Sequence, residues 1–353
     1  MAQTDARLAL IREWLSRDLR LPHERLAPAS SDASFRRYFR VFSPRGTYIV
    51  MDAPPGREDV RPYLKVSALL AALGAHVPQV HEIDAPRGLL LLEDLGTVSY
   101  LQRLEGGGDP DALYADALRV LAEIQARGAE RARELDPYDR EALARELALM
   151  PAWFLRKHLG IEPSDADRKI LDETFEFLIS AGLAQPTVFV HRDYHSRNLM
   201  VVGERNPGII DFQDALRGPV GYDLVSLLKD CYISWPRTRV KAWVREYRLM
   251  MHERASHSAG ANDTQMLHWF DVIGIQRHLK VLGIFARLWY RDGKSGYLED
   301  LPLTLRYVVD ACARFPPLQP LREFLLHQVV PALTAANVRE AQKISAARAA
   351  APA

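Results

Sequence analysis

The stretch TVFVHRDYHSRNLMVVGERNPGIIDFQD, residues 187–214, decides the fold of this chain. Three short apolar runs within it predict β-strands: 188–190, 199–202 and 209–210. A polar loop, 191–198, separates the first run from the second, and the turn-forming sequence GERNPG separates the second from the third. The pattern therefore predicts a strand, a polar loop and a β-hairpin that delivers Asp211 beside the loop.

The polar loop has the residues that phosphoryl transfer requires. His191-Arg192-Asp193 followed by Asn198 fits H-R-D-x-x-x-x-N, and Asp211-Phe212 stands where kinases carry the Asp of D-F-G. In such a site a carboxylate, here Asp193, orients a hydroxyl nucleophile toward a γ-phosphate. An Asn and a second Asp bind the Mg²⁺ that neutralises the phosphate oxygens. We therefore predict that Asp193, Asn198 and Asp211 are catalytic, and that Asn198 and Asp211 bind the metal.

Two other interpretations of this loop stay open at the level of sequence. His191 is more typical of a structural anchor in a loop than of a base. A zinc site formed by His191, Asp193 and His195 is conceivable, although no Cys or further His lies nearby at ligand spacing. Any one of these residues alone would favour a structural role, but all the kinase positions occur here in order, with a strand on each side.

The composition is that of an ordinary globular protein of two lobes. The chain has 353 residues, 48% hydrophobic and 26% charged, which is enough for each lobe to bury a core. A net charge of +1 gives no indication of nucleic-acid or membrane binding. Two cysteines argue against a disulfide framework, and no apolar stretch is long enough to span a bilayer. We expect a cytoplasmic protein with no obligate protein partner.

The first part of the chain predicts a small β-rich lobe, residues 1–96, after an amphipathic helix over 5–20. Apolar alternation predicts strands over 38–42, 48–51, 77–84 and 88–96, and a helix over 59–74 that ends at Gly74. The small polar loop Ser30–Ser34 precedes the first of these strands. It could offer backbone N–H groups to phosphates, although its lack of glycine favours an ordinary surface turn.

The second part, residues 97–353, predicts a larger and mainly helical lobe, interrupted only by the hairpin. The fold class is therefore α+β and bilobal. The catalytic hairpin would open onto the cleft between the lobes, where a nucleotide would bind.

Here the chain resembles the aminoglycoside phosphotransferase-like small-molecule kinases, which share the protein-kinase-like fold, over roughly residues 25–330. LLLLEDLG is similar to the family's hinge strand, which implies that backbone groups near Glu93, Asp94 and Leu95 bind the adenine of ATP. The segments FVHRDYHSRNLMV and GIIDFQDALRGPVGYDL are similar to its catalytic and metal segments. The resemblance implies that Asp223 in GYDL, together with His191, supports the catalytic loop.

Within this family the chain is most similar to the kinases that recycle cell-wall amino sugars in bacteria. That resemblance implies transfer of the γ-phosphate of ATP to the C1 hydroxyl of N-acetylmuramate and N-acetylglucosamine. It rests on the catalytic segments and on IQRHLKVLGIFARL, 275–288. We expect five residues to bind the substrate: Asp193, His195, Gln213, Gln276 and Lys280.

The chain departs from the family at the lysine that binds phosphates. Met51 stands at the lysine position, and Lys65-Val66-Ser67 stands where its Glu partner is expected. Something else must then neutralise the phosphates. Our hypothesis is that Arg36 or Arg37 reaches them from the loop that contains Ser34, although exposed surface arginines would fit the sequence equally well.

Several other functions are consistent with parts of the sequence. A protein kinase is disfavoured because only 212–219 separates Asp211 from the GYDL helix, which leaves no room for an activation segment. Met51 suggests a non-catalytic ATP-binding scaffold, but the catalytic residues are all present.

A kinase of the same fold acting on an aminoglycoside, choline or a fructosamine is the main rival. Its cationic substrates would favour an acidic pocket, whereas helix 275–291 is basic. That basic face could bind a substrate carboxylate, or it could be a solvated surface stripe.

Overall fold

The computed structural model of the protein describes residues 5–31, 35–128, 130–254 and 260–350. This chain divides into two compact units. Unit 1 consists of residues 1–117 and 197–215, and unit 2 consists of 118–196 and 216–353. Among the described residues no helix has the length and apolar composition needed to cross a membrane.

Unit 1 is built on a five-stranded antiparallel sheet with the strand order β1-β2-β3-β5-β4. The strands are β1 Arg25–Ser31, β2 Arg37–Ser43, β3 Gly46–Asp52, β4 Val80–Asp84 and β5 Leu89–Glu93. Its helices are α1 Ala6–Glu13, α2 Arg61–Ala72, α3 Tyr100–Glu105 and the first half of α4 Pro110–Arg127. A two-stranded hairpin completes it, formed by β7 Leu199–Met200 and β8 Gly208–Ile209.

The strand pairing places alternate residues of β2 and β3 on opposite faces of the sheet. Arg37 pairs with Asp52 and Phe39 with Val50, whereas Tyr38 pairs with Met51 in between. The face with Phe39 and Val50 packs against α1, in a core that also contains Ile11, Trp14, Leu15, Val41, Leu89 and Leu91. Tyr38 and Met51 therefore belong to the other face of the sheet.

Strand β1 is the main element that the sequence did not predict. Ser30 and Ser31, expected in a loop, end this strand and pair with β2. Pro28 obscured it, because proline cannot donate to a strand ladder. The strand tolerates Pro28 because it lies at the edge of the sheet, and its register shifts between Pro28 and Ser30. The other predicted strands and the helix ending near Gly74 are confirmed, with ends that differ by a few residues.

Unit 2 is mainly helical and is organised around one long helix, α9. Its helices are the second half of α4, α5 Arg140–Leu147, α6 Asp165–Leu183, α7 Gly221–Leu228, α8 Arg237–Glu253, α9 Asp263–Asp292, α10 Leu301–Cys312, α11 Gln319–Phe324 and α12 Val330–Ala350. A π-helical segment, Met150–Leu159, packs closely on α9. A side chain at Gly283 would lie 2.4 Å from the carbonyl carbon of Leu149, so only glycine permits this approach.

The catalytic segment begins in unit 2 with a short antiparallel pair, β6 Thr187–Val190 and β9 Leu216–Pro219. The predicted strand, loop, hairpin and α+β fold class are confirmed.

Candidate active site

Unit 1 brings Asn198 and Asp211 together at the base of the β7–β8 hairpin. The backbone N–H of Ile210 donates to the carbonyl of Asn198 at 3.1 Å, which closes the hairpin just before Asp211. The Asn198 amide Nδ2 donates to Asp211 Oδ2 at 3.2 Å. Gln213 Nε2 donates to the other carboxylate oxygen, Oδ1, at 2.8 Å. Asn198 and Asp211 are 13 positions apart in the chain, and the hairpin between them brings the two side chains together.

These side chains fit a magnesium ion. Because Asn198 uses its amide nitrogen toward Asp211, its amide oxygen is the atom that would bind a cation beside the carboxylate. Mg²⁺ prefers oxygen ligands and takes few of them from protein, with water and phosphate completing its shell. Within the described residues no three His, Cys, Asp or Glu side chains form a metal-binding group, so the zinc alternative gains no support.

Three non-glycine residues of the segment 187–214 have left-handed backbone conformations, and one of them is Arg205 in the β7–β8 turn, with φ 52°. Arg192 has φ 77° and Asp211 has φ 62°. Such conformations are uncommon outside glycine, less so for Asp than for Arg, and they persist only where surrounding contacts hold them. The segment is therefore held by its neighbours rather than by its own local preferences.

Asp223 supplies this support in unit 2. It lies in the first turn of α7, fully buried, and accepts the backbone N–H of His191 at 2.7 Å and of Arg192 at 2.9 Å. Burial raises the pKa of Asp223 to about 7, against the two N–H donors that act to lower it. Ser226, one turn further along α7, donates its hydroxyl to the carbonyl of Arg192 at 3.2 Å.

Asp193 follows in the same loop and is partly exposed. Its backbone N–H lies 3.3 Å from His191 Nδ1, so the side chain of His191 orients the loop. Burial acts to raise the pKa of Asp193, but Lys280, His195 and Arg192 lower it below the ordinary value of 3.8. At neutral pH Asp193 is therefore an ionised hydrogen-bond acceptor.

The cations near Asp193 belong to a buried network centred on Glu146 of α5. Lys280 Nζ lies 3.0 Å from Glu146, and Arg192 and the Tyr138 hydroxyl also bind this carboxylate. Burial acts to raise the pKa of Glu146, but the two cations lower it. The sequence analysis missed Glu146, because nothing in the amphipathic pattern of α5 distinguishes it from a surface acid.

Gln276 and Lys280 lie inside this network on α9. Gln276 is fully buried, and its Nε2 is 3.4 Å from both the Tyr138 hydroxyl and Glu146. Lys280 donates to the Tyr222 hydroxyl at 2.9 Å as well as to Glu146. The interpretation of this face as a solvated stripe is wrong, since α9 is surrounded by helices of unit 2. The role of both residues in substrate binding stays a prediction.

The other predicted substrate residues have defined surroundings. His195 is buried, with its ring edge-on to Tyr232 at 5.5 Å between centroids. Gln213 is also buried and holds Asp211, as described above. The next loop residue, Ser196, donates its backbone N–H to Asp230 at 3.0 Å, a second buried acid beneath the loop that the sequence analysis did not single out.

The predicted hinge lines a cavity of about 430 Å³ in unit 1. Its walls are the segment after β5 (Glu93, Asp94, Leu95 and Gly96), His76, and the β7–β8 turn from Val201 to Arg205. Arg40 fixes this segment through Asp94, with Nε to Oδ2 at 2.6 Å, and through the carbonyl of Gly96 at 2.8 Å. Among the described residues the backbone N–H and C=O of Leu95, which lines the cavity, make no hydrogen bond.

The two candidate phosphate-binding arginines have different surroundings. Arg37 binds Asp52 through Nη2 at 2.6 Å and also binds Asp5, the residue that caps α1. Arg36 lies 3.6 Å from Glu58 and 4.0 Å from Asp211. Ser34 lies outside the described residues.

Comparison with known proteins agrees with this geometry. Residues 25–258 match the phosphotransferase enzyme family. The chain belongs to this family. It is an enzyme of phosphoryl transfer, as the resemblance predicted.

Curated relatives span nearly the whole chain. A protein of Pseudomonas aeruginosa named N-acetylmuramate/N-acetylglucosamine kinase is 44% identical over 331 residues, covering 91% of this chain and 96% of that protein. A protein of the same name in Neisseria meningitidis is 43% identical, covering 85% of this chain and 90% of that protein.

Solved structures show the fold. ADP-bound aminoglycoside phosphotransferase APH(2'')-Ib has a TM-score of 0.55 at 15% identity, covering 86% of this chain and 98% of that one. Choline kinase LicA from Streptococcus pneumoniae has a TM-score of 0.60 at 12% identity, covering 86% and 99%. The protein-kinase-like fold is thus confirmed.

Proposed function

We propose that this protein transfers the γ-phosphate of ATP to the anomeric C1 hydroxyl of N-acetylmuramate and N-acetylglucosamine, in the recycling of cell-wall sugars. The observation that carries phosphoryl transfer is the Asn198–Asp211 pair, joined by the hairpin that also follows Asp193. The sugar substrates come from the names of relatives that are similar over nearly the whole chain.

In this proposal the adenine of ATP binds in the hinge cavity of unit 1. The N–H and C=O of Leu95 offer the donor and the acceptor that a purine edge requires. A cavity of about 430 Å³ falls in the range of ordinary small-molecule sites. Asn198 and Asp211 would hold Mg²⁺, which supplies positive charge against the phosphate oxygens when bound.

Asp193 is the residue that acts on the sugar hydroxyl. Because its pKa is lowered, it is ionised at neutral pH and accepts a hydrogen bond from the hydroxyl, which fixes the direction of attack. A lowered pKa also makes Asp193 a weak base. An anomeric hydroxyl is more acidic than an ordinary alcohol, so this weak base suffices for the reaction.

The proposal is tested by product identity. The protein is incubated with ATP·Mg²⁺ and N-acetylmuramate, N-acetylglucosamine, kanamycin or choline, and the product is located by phosphorus NMR. A sugar 1-phosphate is the expected product. Phosphorylation of kanamycin or choline alone would overturn the substrate and keep the enzyme class, and absence of turnover with every acceptor would overturn the activity itself.

The role of Asp193 has its own test. Asp193→Asn keeps the size of the side chain but removes the charge, so we expect kcat to fall by about 100-fold or more. ATP affinity, measured by calorimetry, is expected to stay within a factor of about two, because the hydroxyl is the group that Asp193 contacts. Asp310→Asn on the exposed side of α10 is the matched control and is expected to behave as wild type. Near-normal turnover of Asp193→Asn would refute the assignment.

A further inference from the structure

Met51 leaves this enzyme without a lysine at the phosphate-binding position of the sheet. Its side chain is fully buried and lies opposite Tyr38 on the adjacent strand. A thioether has no charge to offer to phosphate. The face of the sheet that carries Met51 must therefore supply a cation from another position.

Arg36 is on that face. Arg36 immediately precedes β2, and both Arg36 and Tyr38 interact electrostatically with the buried Tyr63, so Arg36 lies on the side of the sheet that carries Tyr38 and Met51. Arg37 belongs to the opposite face, where Asp5 and the fully buried Asp52 bind its guanidinium. Two adjacent arginines thus have different surroundings, and Arg37 faces the α1 side of the sheet.

The same face of β2 leads from the hinge to the metal pair. Arg40, four residues after Arg36, holds the hinge through Asp94, and Arg36 lies 4.0 Å from Asp211 Oδ1. Arg40 would therefore lie near the adenine of a bound nucleotide, and Arg36 would lie near its metal-bound phosphates.

Arg36 also has a carboxylate partner, Glu58, in the segment just before α2. Its Nη1 lies 3.6 Å from Glu58 Oε2, and the side chains of Arg36 and Glu58 are only 10% and 15% exposed. Glu58 is itself fixed, because its Oε1 accepts the backbone N–H of Phe35 at 2.9 Å. Arg36 therefore lies near two carboxylates, Glu58 and Asp211, and its planar guanidinium has the fork geometry that matches phosphate oxygens.

We propose that Arg36 and Glu58 replace the missing lysine–glutamate pair, with Arg36 binding the phosphates of the nucleotide and Glu58 positioning Arg36. Both residues occupy positions in the chain that differ from those of the family's lysine and glutamate. The cation comes from the residue before β2 rather than from β3, and the acid precedes α2 rather than lying within it. The inference rests on the proposed use of ATP, but not on which hydroxyl is phosphorylated.

The test separates phosphate binding from general damage. ATP, ADP and adenosine are titrated into the full-length protein with Mg²⁺ by calorimetry. A charge-assisted contact to phosphate is worth about 1.5–3 kcal/mol, so Arg36→Ala is expected to weaken ATP and ADP binding by about 10- to 100-fold. Adenosine, which has no phosphate, is expected to bind Arg36→Ala as it binds wild type.

Glu58 is tested through its dependence on Arg36. Glu58→Gln is expected to weaken ATP binding by about 3- to 10-fold, and this loss is expected to vanish in the Arg36→Ala background. Arg61→Ala and Asp59→Asn, in the exposed pair next along the chain, are the matched controls and are expected to bind ATP as wild type does.

Three outcomes would overturn the inference. Arg36→Ala could bind ATP within twofold of wild type, it could lose adenosine and ATP affinity equally, or the loss in Glu58→Gln could persist without Arg36. Wild-type protein that binds adenosine but no nucleoside triphosphate would overturn the use of ATP instead.

Discussion

At the scale of single residues, the negative charge of Glu146 balances the positive charges of Lys280 and Arg192 around the catalytic loop. One buried carboxylate serves Lys280, Arg192 and the Tyr138 hydroxyl. The same two cations lower the pKa of Asp193, the residue that we propose acts on the substrate. Glu146 thus determines the charge balance around Asp193 without a proposed role of its own in the reaction.

Removing this carboxylate should destabilise the protein. Glu146→Gln removes the carboxylate that Lys280 and Arg192 share in the buried network, so we expect a loss of about 3–5 kcal/mol in the free energy of unfolding, measured with urea. Glu176→Gln, in the exposed pair with Arg140, is the matched control and should leave the free energy of unfolding near the wild-type value. If both variants lost equal stability, the buried network would have no special role.

At the scale of elements, helix α7 shapes the loop through its first turn. Asp223 accepts two consecutive backbone N–H groups, and this is the contact that holds Arg192 at φ 77°. The loop cannot adopt this conformation by local preference, since an arginine gains nothing from it. The element that holds the loop before Asp193, our proposed catalytic residue, is therefore a helix that begins 28 residues after Asp193 in the chain.

Asp223→Asn should separate catalysis from nucleotide binding. The amide oxygen can accept one N–H, but its NH₂ group repels the other, so the loop shifts and kcat falls by about 10- to 100-fold. The Michaelis constant for ATP is expected to change by less than threefold, because the hinge cavity belongs to unit 1. A parallel rise in that constant, or a normal kcat, would contradict a positioning role confined to the loop.

At the scale of the whole molecule, the stability of unit 2 depends on α9, whose polar side chains are buried together with its apolar ones. His278 is fully buried, its Nε2 donates to the carbonyl of Lys229 at 2.9 Å, and its ring packs on Tyr307. Burial lowers its pKa well below 6.5, and the neighbouring Arg277 and Lys229 lower it further. His278 is therefore neutral in the folded protein.

This neutrality predicts an acid limit to stability. Below about pH 6.5 the unfolded chain binds a proton at His278 that the folded chain does not, so stability present above that pH is lost as pH falls, by up to about 1.4 kcal/mol per unit. His278→Gln should flatten the slope of unfolding free energy between pH 6.5 and 5. The exposed His327→Gln is the control and should keep the wild-type slope, and an unchanged slope in His278→Gln would exclude His278 as its origin.

What the sequence by itself determined was the local order of the catalytic segment. The strand, loop and hairpin over 187–214 and the apolar strand that ends near Glu93 follow from apolar periodicity and turn residues, and the order of Asp193, Asn198 and Asp211 matches the kinase motif. These features depend on neighbours in the chain. They were sufficient for the fold class and for the reaction type.

Only the tertiary structure decided which distant residues meet. Glu146 binds Lys280 across 134 residues of chain, and Asp223 binds the backbone of a loop 31 residues earlier. Arg36 and Arg37 are adjacent in the sequence, yet Arg36 lies near Glu58 and Asp211 whereas Arg37 binds Asp5 and Asp52. Long-range pairing depends on how helices and strands pack, and local patterns carry no record of that packing.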